Sequence, residues 1–323
     1  MNTVRIFAEG VVEQIKEYLP NELQGMQFSV VETTKNNGVI LTGLNVQVPG
    51  ENISPVIYMN DFYDEVKKGE SIEETMESIA SCIVHCRHDA MLNMNIGLHD
   101  IDSLKDRVTP MLINAKADKE MLQTMPHILV EDLAMIFKVD MSLPGGDGRG
   151  TMKVKNEMLE RWGISKEELY QKAASNVQKY DAPVMTPMSE MVFEFASGEK
   201  TNTNLLEEPQ MISDFDNEMM FVLSNESRYH GTSALVCSEV MNKINELMPN
   251  GFYILPSSIH ETLIVSKECG MGGKELGQMV REVNRDMVSR EEVLSDRVYE
   301  YDKELGQIKQ VPESIQKSRE ATR

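Results

Sequence analysis

The sequence predicts an α+β protein in which mostly antiparallel sheets pack against amphipathic helices, arranged in two to three subdomains. Three observations carry that expectation. Candidate strands repeatedly follow one another with no helix between them, the order of hairpins and not of parallel βαβ units. Helices are marked separately by Ser71 with Glu74 and Ser165 with Glu168, two capping boxes in which serine and glutamate satisfy each other's free backbone N–H groups. At 323 residues, 41% apolar and 26% charged, the chain has the composition of a folded globular protein.

The first block, residues 1–100, opens on a helix. Val4, Phe7, Val11, Ile15, Tyr18 and Leu19 recur at helical spacing and Pro20 closes the pattern. Phe28–Val31 and Val39–Val48 are β-rich runs, and Lys35-Asn36-Asn37-Gly38 between them supplies residues that tolerate positive φ, so a hairpin is expected with Val56–Met59 as a third strand. The Ser71 cap then starts a helix whose stripe is Ile72, Met76, Ile79, Ile83, Cys86 and Ala90.

The second block, residues 101–200, offers strands at Val108–Ile113, Leu133–Val139 and Met152–Val154. Asn156 caps a short helix that Gly163 ends, Ser165 begins another, and Asp181–Pro187 reads as a junction because its prolines cannot continue a helix. In the third block, residues 201–306, an acidic stretch from Thr201 to Ser227 without Lys or Arg reads as a linker that runs into the strand Met220–Leu223. Strand Ser233–Cys237, helix Val240–Met248 and strands Phe252–Leu255 and Ile259–Val265 follow. A helix carrying Leu276, Val280, Val283 and Met287 and a strand at Arg297–Tyr301 close the block. Residues 307–323 are polar and unpatterned, which predicts a flexible tail.

Charge and cysteine content bound the function. With 52 acidic against 32 basic residues the formal net charge is -20, which repels phosphate backbones and anionic headgroups. General nucleic-acid binding and membrane binding are therefore not expected, and a basic protein partner is the easiest to accommodate. Four cysteines, Cys82, Cys86, Cys237 and Cys269, form no disulfide framework. Arg5, Glu9 and Glu13 interrupt any apolar leader, and no run of about 18 apolar residues occurs, so a soluble cytoplasmic protein is expected.

Three segments carry residue types suited to chemistry. Cys82, His85, Cys86 and His88 are soft-metal ligands, but a helix sends His88 to the side opposite the two thiols. Cys82, His85 and Cys86 are thus weak metal candidates that would need ligands from elsewhere. Pro144–Gly150 holds four glycines, yet no Gly-Lys-Ser/Thr follows, so no cofactor is expected. His260-Glu261 starts like a zinc-protease helix, but Ile264 stands where the second histidine belongs. A catalytic construction remains in which Ser257 or Ser258 is activated by His260, with Glu282 or Asp296 brought in by the fold to orient the imidazole. The simpler alternative is a β connection whose serine hydroxyls satisfy local backbone groups. The 24 methionines fall largely on apolar stripes, where packing accounts for them.

Several short signatures belong together. Ile57-Tyr-Met-Asn-Asp61, Trp162-Gly-Ile-Ser-Lys-Glu-Glu-Leu169, Tyr253-Ile-Leu-Pro-Ser-Ser-Ile-His-Glu261, Arg281-Glu-Val-Asn284 and Glu292-Val-Leu-Ser-Asp-Arg-Val-Tyr299 span most of the chain up to about Gly306. This set resembles a family of uncharacterised bacterial proteins, frequent in gut anaerobes and on their mobile elements. The resemblance implies an accessory or host-interaction setting and no particular reaction. The resulting expectation is an acidic cytoplasmic protein that binds another protein without catalysis. The alternative is a hydrolase or transferase with Ser258 as nucleophile and His260 as base.

Overall fold

A computed structural model describes residues 3–49, 54–95, 102–140, 151–215 and 217–312, apart from the side chains of 88–95 and 213–214. The fold is α+β, with three sheets built from antiparallel pairs. Its contacts cluster into two compact units, Met1–Lys105 with Asp140–Met152, and Asp106–Val139 with Lys153–Arg323. The glycine-rich stretch 144–150 lies outside the described residues.

In the first unit, helix α1 (Thr3–Gln14) turns its Ala8 and Val11 stripe inward and runs into a single 3₁₀ turn before Pro20. Strands β1 (Gln27–Thr34) and β2 (Ile40–Gln47) pair along their whole length, from Gln27 opposite Gln47 to Thr34 opposite Ile40. Asn37 and Gly38, at φ 58° and 66°, make the predicted turn. Strand β3 (Val56–Tyr58) joins the far edge of β2. The predicted third strand stops one residue early, because Met59 begins α2 (Met59–Lys68), a helix absent from the sequence reading although Met59, Phe62 and Val66 have helical spacing. Asn60 fastens it to β2 by accepting the Thr42 N–H at 3.0 Å. Helix α3 (Ile72–Asn95) starts at the Ser71–Glu74 capping box and buries Met76, Ile79 and Ile83 against Ile15, Leu44 and Met59.

The second unit begins with β4 (Val108–Asn114), the short helix α4 (Lys119–Leu122), β5 (Ile128–Val130) and β6 (Leu133–Asp140), whose sheet has β6 between β4 and β5, and the short strand β7 (Thr151–Lys153) falls at the unit boundary. Helices α5 (Asn156–Trp162) and α6 (Lys166–Tyr180) follow, and the Ser165–Glu168 box caps α6 as predicted. The expected junction at Asp181–Pro187 is instead strand β8 (Pro183–Pro187), which leads into α7 (Met188–Ser197). Two prolines are tolerated there because β8 is an edge strand with one side free of ladder bonds.

Strand β9 (Met220–Asn225), helix α8 (Ser238–Leu247), strands β10 (Phe252–Leu255) and β11 (Thr262–Ser266), helix α9 (Gly273–Met287) and strands β12 (Tyr299–Asp302) and β13 (Gln307–Gln310) complete the unit. Its larger sheet has the order β13-β12-β10-β11-β9-β8. Two local expectations need correction. Ser233–Cys237 is not a strand; Gly231–Val236 forms 3₁₀ turns, since the Ser233 hydroxyl bonds the His230 carbonyl at 3.1 Å and holds the backbone curled. The start of the expected flexible tail is strand β13, because Gly306 at φ 64° turns the chain back and Ile308 is buried beside β12.

Candidate functional site

The Pro256–Glu261 segment connects β10 to β11, and its backbone is bracketed on two sides. On one side, residues 292–295 run antiparallel to it. The Ser295 N–H bonds the Pro256 carbonyl at 3.0 Å, the Leu294 N–H bonds the Ser257 carbonyl at 2.9 Å, and the Ile259 N–H bonds the Glu292 carbonyl at 2.9 Å. On the other side, the Thr232 hydroxyl donates to the Ser258 carbonyl at 2.8 Å, while the Gly231 N–H and the Ser224 hydroxyl both reach the His260 carbonyl, at 3.0 and 2.8 Å. Buried backbone polar groups need partners, and this segment draws them from chain far away in sequence. Gly231 is required for the approach: a Cβ there would sit 2.4 Å from the Ser224 hydroxyl and 2.5 Å from the Asn225 nitrogen.

His260 itself is held at both ring nitrogens. Nδ1 accepts the His230 N–H at 3.2 Å, so Nε2 carries the proton and donates it to Glu292 Oε1 at 3.2 Å. That hydrogen bond holds the Glu292 carboxyl below the usual range, against a smaller opposing push from burial. The His230 ring stacks on that of His260, with centroids 5.3 Å apart and planes 8° from parallel, and Tyr229 lies 3.9 and 5.0 Å from the two rings.

The candidate catalytic residues separate into different environments. Ser258 is buried, and its hydroxyl accepts the backbone N–H of His260 at 3.0 Å while the imidazole bonds elsewhere. Ser257 contributes its backbone to the bracket. Glu282 lies exposed on α9 and accepts from Gln278 at 3.0 Å, and Asp296 accepts from Asn284 at 2.7 Å. The carboxylate that meets His260 is Glu292, which sequence reasoning did not assign. Its signal was the Glu292–Tyr299 signature, whose closeness to His260 depends on a bridge between Ser258 and Val293.

Two polar anchors hold this bracket in the unit. Ser295 shares a hydrogen bond of 2.8 Å with the Tyr299 hydroxyl, which donates to Asp132, and Gln310 donates to the same carboxylate at 2.8 Å. Burial, reinforced by Asp132, pushes the Tyr299 phenol well above its ordinary value, so it acts as a fixed donor. On the other side, Lys138 and Asp181 form a 2.7 Å ion pair with side chains only 1% and 2% exposed. Asn225 donates to Asp181 at 3.0 Å and to the Tyr229 carbonyl at 3.0 Å, shaping the turn that delivers Tyr229 and His230.

A second feature of this unit lies on its surface. Helix α7 has its polarity inverted: Glu194 is buried while Val192, Phe193 and Phe195 are exposed. Glu194 is fixed by Arg228 Nη2 at 2.5 Å and the Thr201 N–H at 2.6 Å. Burial works to push its carboxyl up, and these donors more than offset that, leaving it below the usual range. Glu218 accepts the Ser189 N–H at 3.0 Å in the first turn of α7. It also lines a pocket of about 240 Å³ together with Ile212, Phe215, Met219, Phe221 and Glu268.

The metal candidates lie in the first unit, where Cys82 and Cys86 pack half-buried against its core and His85 is exposed. The described residues contain no group of three or more His, Cys, Asp or Glu able to hold a metal ion. None of the described helices is long and apolar enough to cross a membrane.

Fold and geometry define an α+β protein whose second unit carries a hydrogen-bonded bracket and an exposed apolar helix face. Residues 4–303 match the model of a family described as a family of unknown function (DUF5688), and the chain belongs to it. No curated protein and no solved structure matches.

Proposed function

We propose that this protein acts by binding another protein, and that α7 with the adjoining pocket is where it does so. The observation that carries the reading is Phe195, 95% exposed on a helix whose neighbouring carboxylate is buried. Exposing Val192, Phe193 and Phe195 together gives an apolar ridge of the kind that marks interaction surfaces. The carboxylates of Glu218 and Glu268 at the pocket, with Glu207 and Glu208 earlier in the same basic-free stretch, suit a partner segment that combines an apolar anchor with Lys or Arg. The net charge of -20 favours the same kind of partner and works against nucleic acid and anionic membranes. Cytoplasmic residence belongs to this reading.

A hydrolase or transferase at Ser258 and His260 has less support. A general base needs a free lone pair aimed at the nucleophile, whereas Nδ1 of His260 is occupied by a backbone N–H and Nε2 is a donor to Glu292.

The test is site-specific photo-crosslinking in the native host with Phe195→benzoylphenylalanine, and Leu305→benzoylphenylalanine as an exposed control. The expected result is an adduct at position 195, absent at 305, with a protein carrying a basic segment, and weakened as salt is raised. Equal labelling at both positions, or no adduct at 195, would overturn the proposal.

A further inference from the structure

We infer that Cys82 and Cys86 form an oxidant-sensitive dithiol, a modification site at which peroxide converts two thiols on α3 into a reversible disulfide. The two residues are four apart on one helix, so they share a face with Cβ atoms about 5–6 Å apart. Both are half-buried at the edge of the first unit's core. Hydrogen bonding from the neighbouring Cys86 thiol, against an opposing push from burial, lowers the Cys82 thiol to about 7, where ordinary thiols titrate near 8.5. A thiol with thiolate character, partly accessible and beside a second thiol, meets the requirements of an oxidisable pair.

The chemistry balances with hydrogen peroxide as the oxidant. The Cys82 thiolate attacks one peroxide oxygen, the O–O bond breaks and hydroxide leaves, so sulfur is oxidised to a sulfenic acid and peroxide is reduced. The Cys86 thiol then attacks that sulfur, the S–S bond forms, the S–O bond breaks and water departs with the thiol proton.

Helix geometry sets the consequence. A disulfide needs Cβ atoms about 3.5–4.5 Å apart, closer than an undistorted helical turn provides, so closure must deform α3. Such a bond is strained and easily reduced, which makes the change reversible. The deformation spans Cys82–Cys86, a turn that contains the fully buried Ile83 and follows the fully buried Ile79, and so loosens the packing of α3 in its unit.

Cys237 and Cys269, also half-buried, serve as internal references. The experiment exposes the full chain at pH 7 to limiting hydrogen peroxide, alkylates the remaining thiols and reads each cysteine by mass spectrometry. A thiol near 7 gains thiolate but loses some nucleophilicity, and the two effects leave Cys82 roughly three- to fourfold faster than an ordinary thiol. The expected result is joint, roughly three- to fourfold faster loss of Cys82 and Cys86, reversed by dithiothreitol, with faster amide exchange over Met76–Cys86 in the oxidised protein. In Cys86→Ser and Cys86→Ala, Cys82 should instead accumulate as a dimedone-reactive sulfenic acid. Oxidation of Cys82 no faster than the references, or loss of Cys82 without a disulfide in the unsubstituted protein, would overturn the inference.

Discussion

Glu194 and Phe195 are adjacent on α7, yet the glutamate is 8% exposed and the phenylalanine 95%. The helix is turned this way because the carboxylate collects two short charge-assisted hydrogen bonds, from Arg228 and the Thr201 N–H, that a phenyl ring could not replace. Folding therefore leaves the aromatic side chain outside, where it contributes little to stability and remains available for contact.

Unequal stability effects are expected at these two neighbours. Phe195→Ser should change the urea unfolding free energy by no more than about 0.5 kcal/mol, as for an exposed position. Glu194→Ala should cost about 1–3 kcal/mol, since it strands the Thr201 N–H and frees Arg228. Chemical denaturation of both variants measures this; a larger loss at Phe195 than at Glu194 would mean that α7 is held by its ring.

Much of the fold was legible because its signals are local. Ser165 and Glu168 carry their capping box three residues apart, and Asn37-Gly38 specifies the β1–β2 turn by its own backbone preference. Pro183–Pro187 misled because a proline-bearing strand is compatible only with a sheet edge, and edge position is a property of the assembled sheet. The Pro256–Glu261 segment was located from sequence as the most chemically suggestive stretch. Its partners were not, since Ser224, Thr232 and Glu292 reach it through contacts 26 to 36 residues away or across a bridge. Glu282 and Asp296 were plausible by residue type alone, and residue type does not encode distance.

The Lys138–Asp181 pair is the point at which the second unit is most sensitive to a single change. Asp181→Ala leaves an uncompensated ammonium inside, and the expected loss is about 3–5 kcal/mol, enough to consume much of a domain's stability. The double variant Lys138→Met with Asp181→Leu removes both charges and should recover most of that loss. Urea melts of the single and double variants decide it; a double variant no more stable than Asp181→Ala would show that Asn225, which also bonds Asp181, carries the larger share.

Fluorophosphonate reagents discriminate the two readings of the PSSIHE segment. With the Ser258 hydroxyl accepting from the His260 backbone and the imidazole engaged by His230 and Glu292, the expected outcome is no labelling at Ser257 or Ser258. Ser258→Ala should cost about 1 kcal/mol through the orphaned His260 N–H and leave partner crosslinking at position 195 intact. Stoichiometric labelling lost in that variant would establish a nucleophile and displace the binding proposal.

The His260–Glu292 contact gives a pH signature whose sign is fixed. The Glu292 carboxyl titrates below its unfolded value, so the contact stabilises the fold fully above about pH 4.3 and is lost as pH falls through the depressed native value. Glu292→Gln keeps an acceptor for the Nε2–H but cannot ionise. The stability difference between the parent protein and Glu292→Gln should therefore be constant from about pH 5 upward and shrink toward zero in acid. Its size should be modest, because the Glu292 side chain is 40% exposed and water screens the interaction. Urea midpoints of both proteins between about pH 3 and pH 7 test this, with the remaining carboxylates common to the two and cancelling in the difference. A difference that grows on acidification would mean that the Nε2 proton is not donated to Glu292, and the assignment of the His260 tautomer would fall with it.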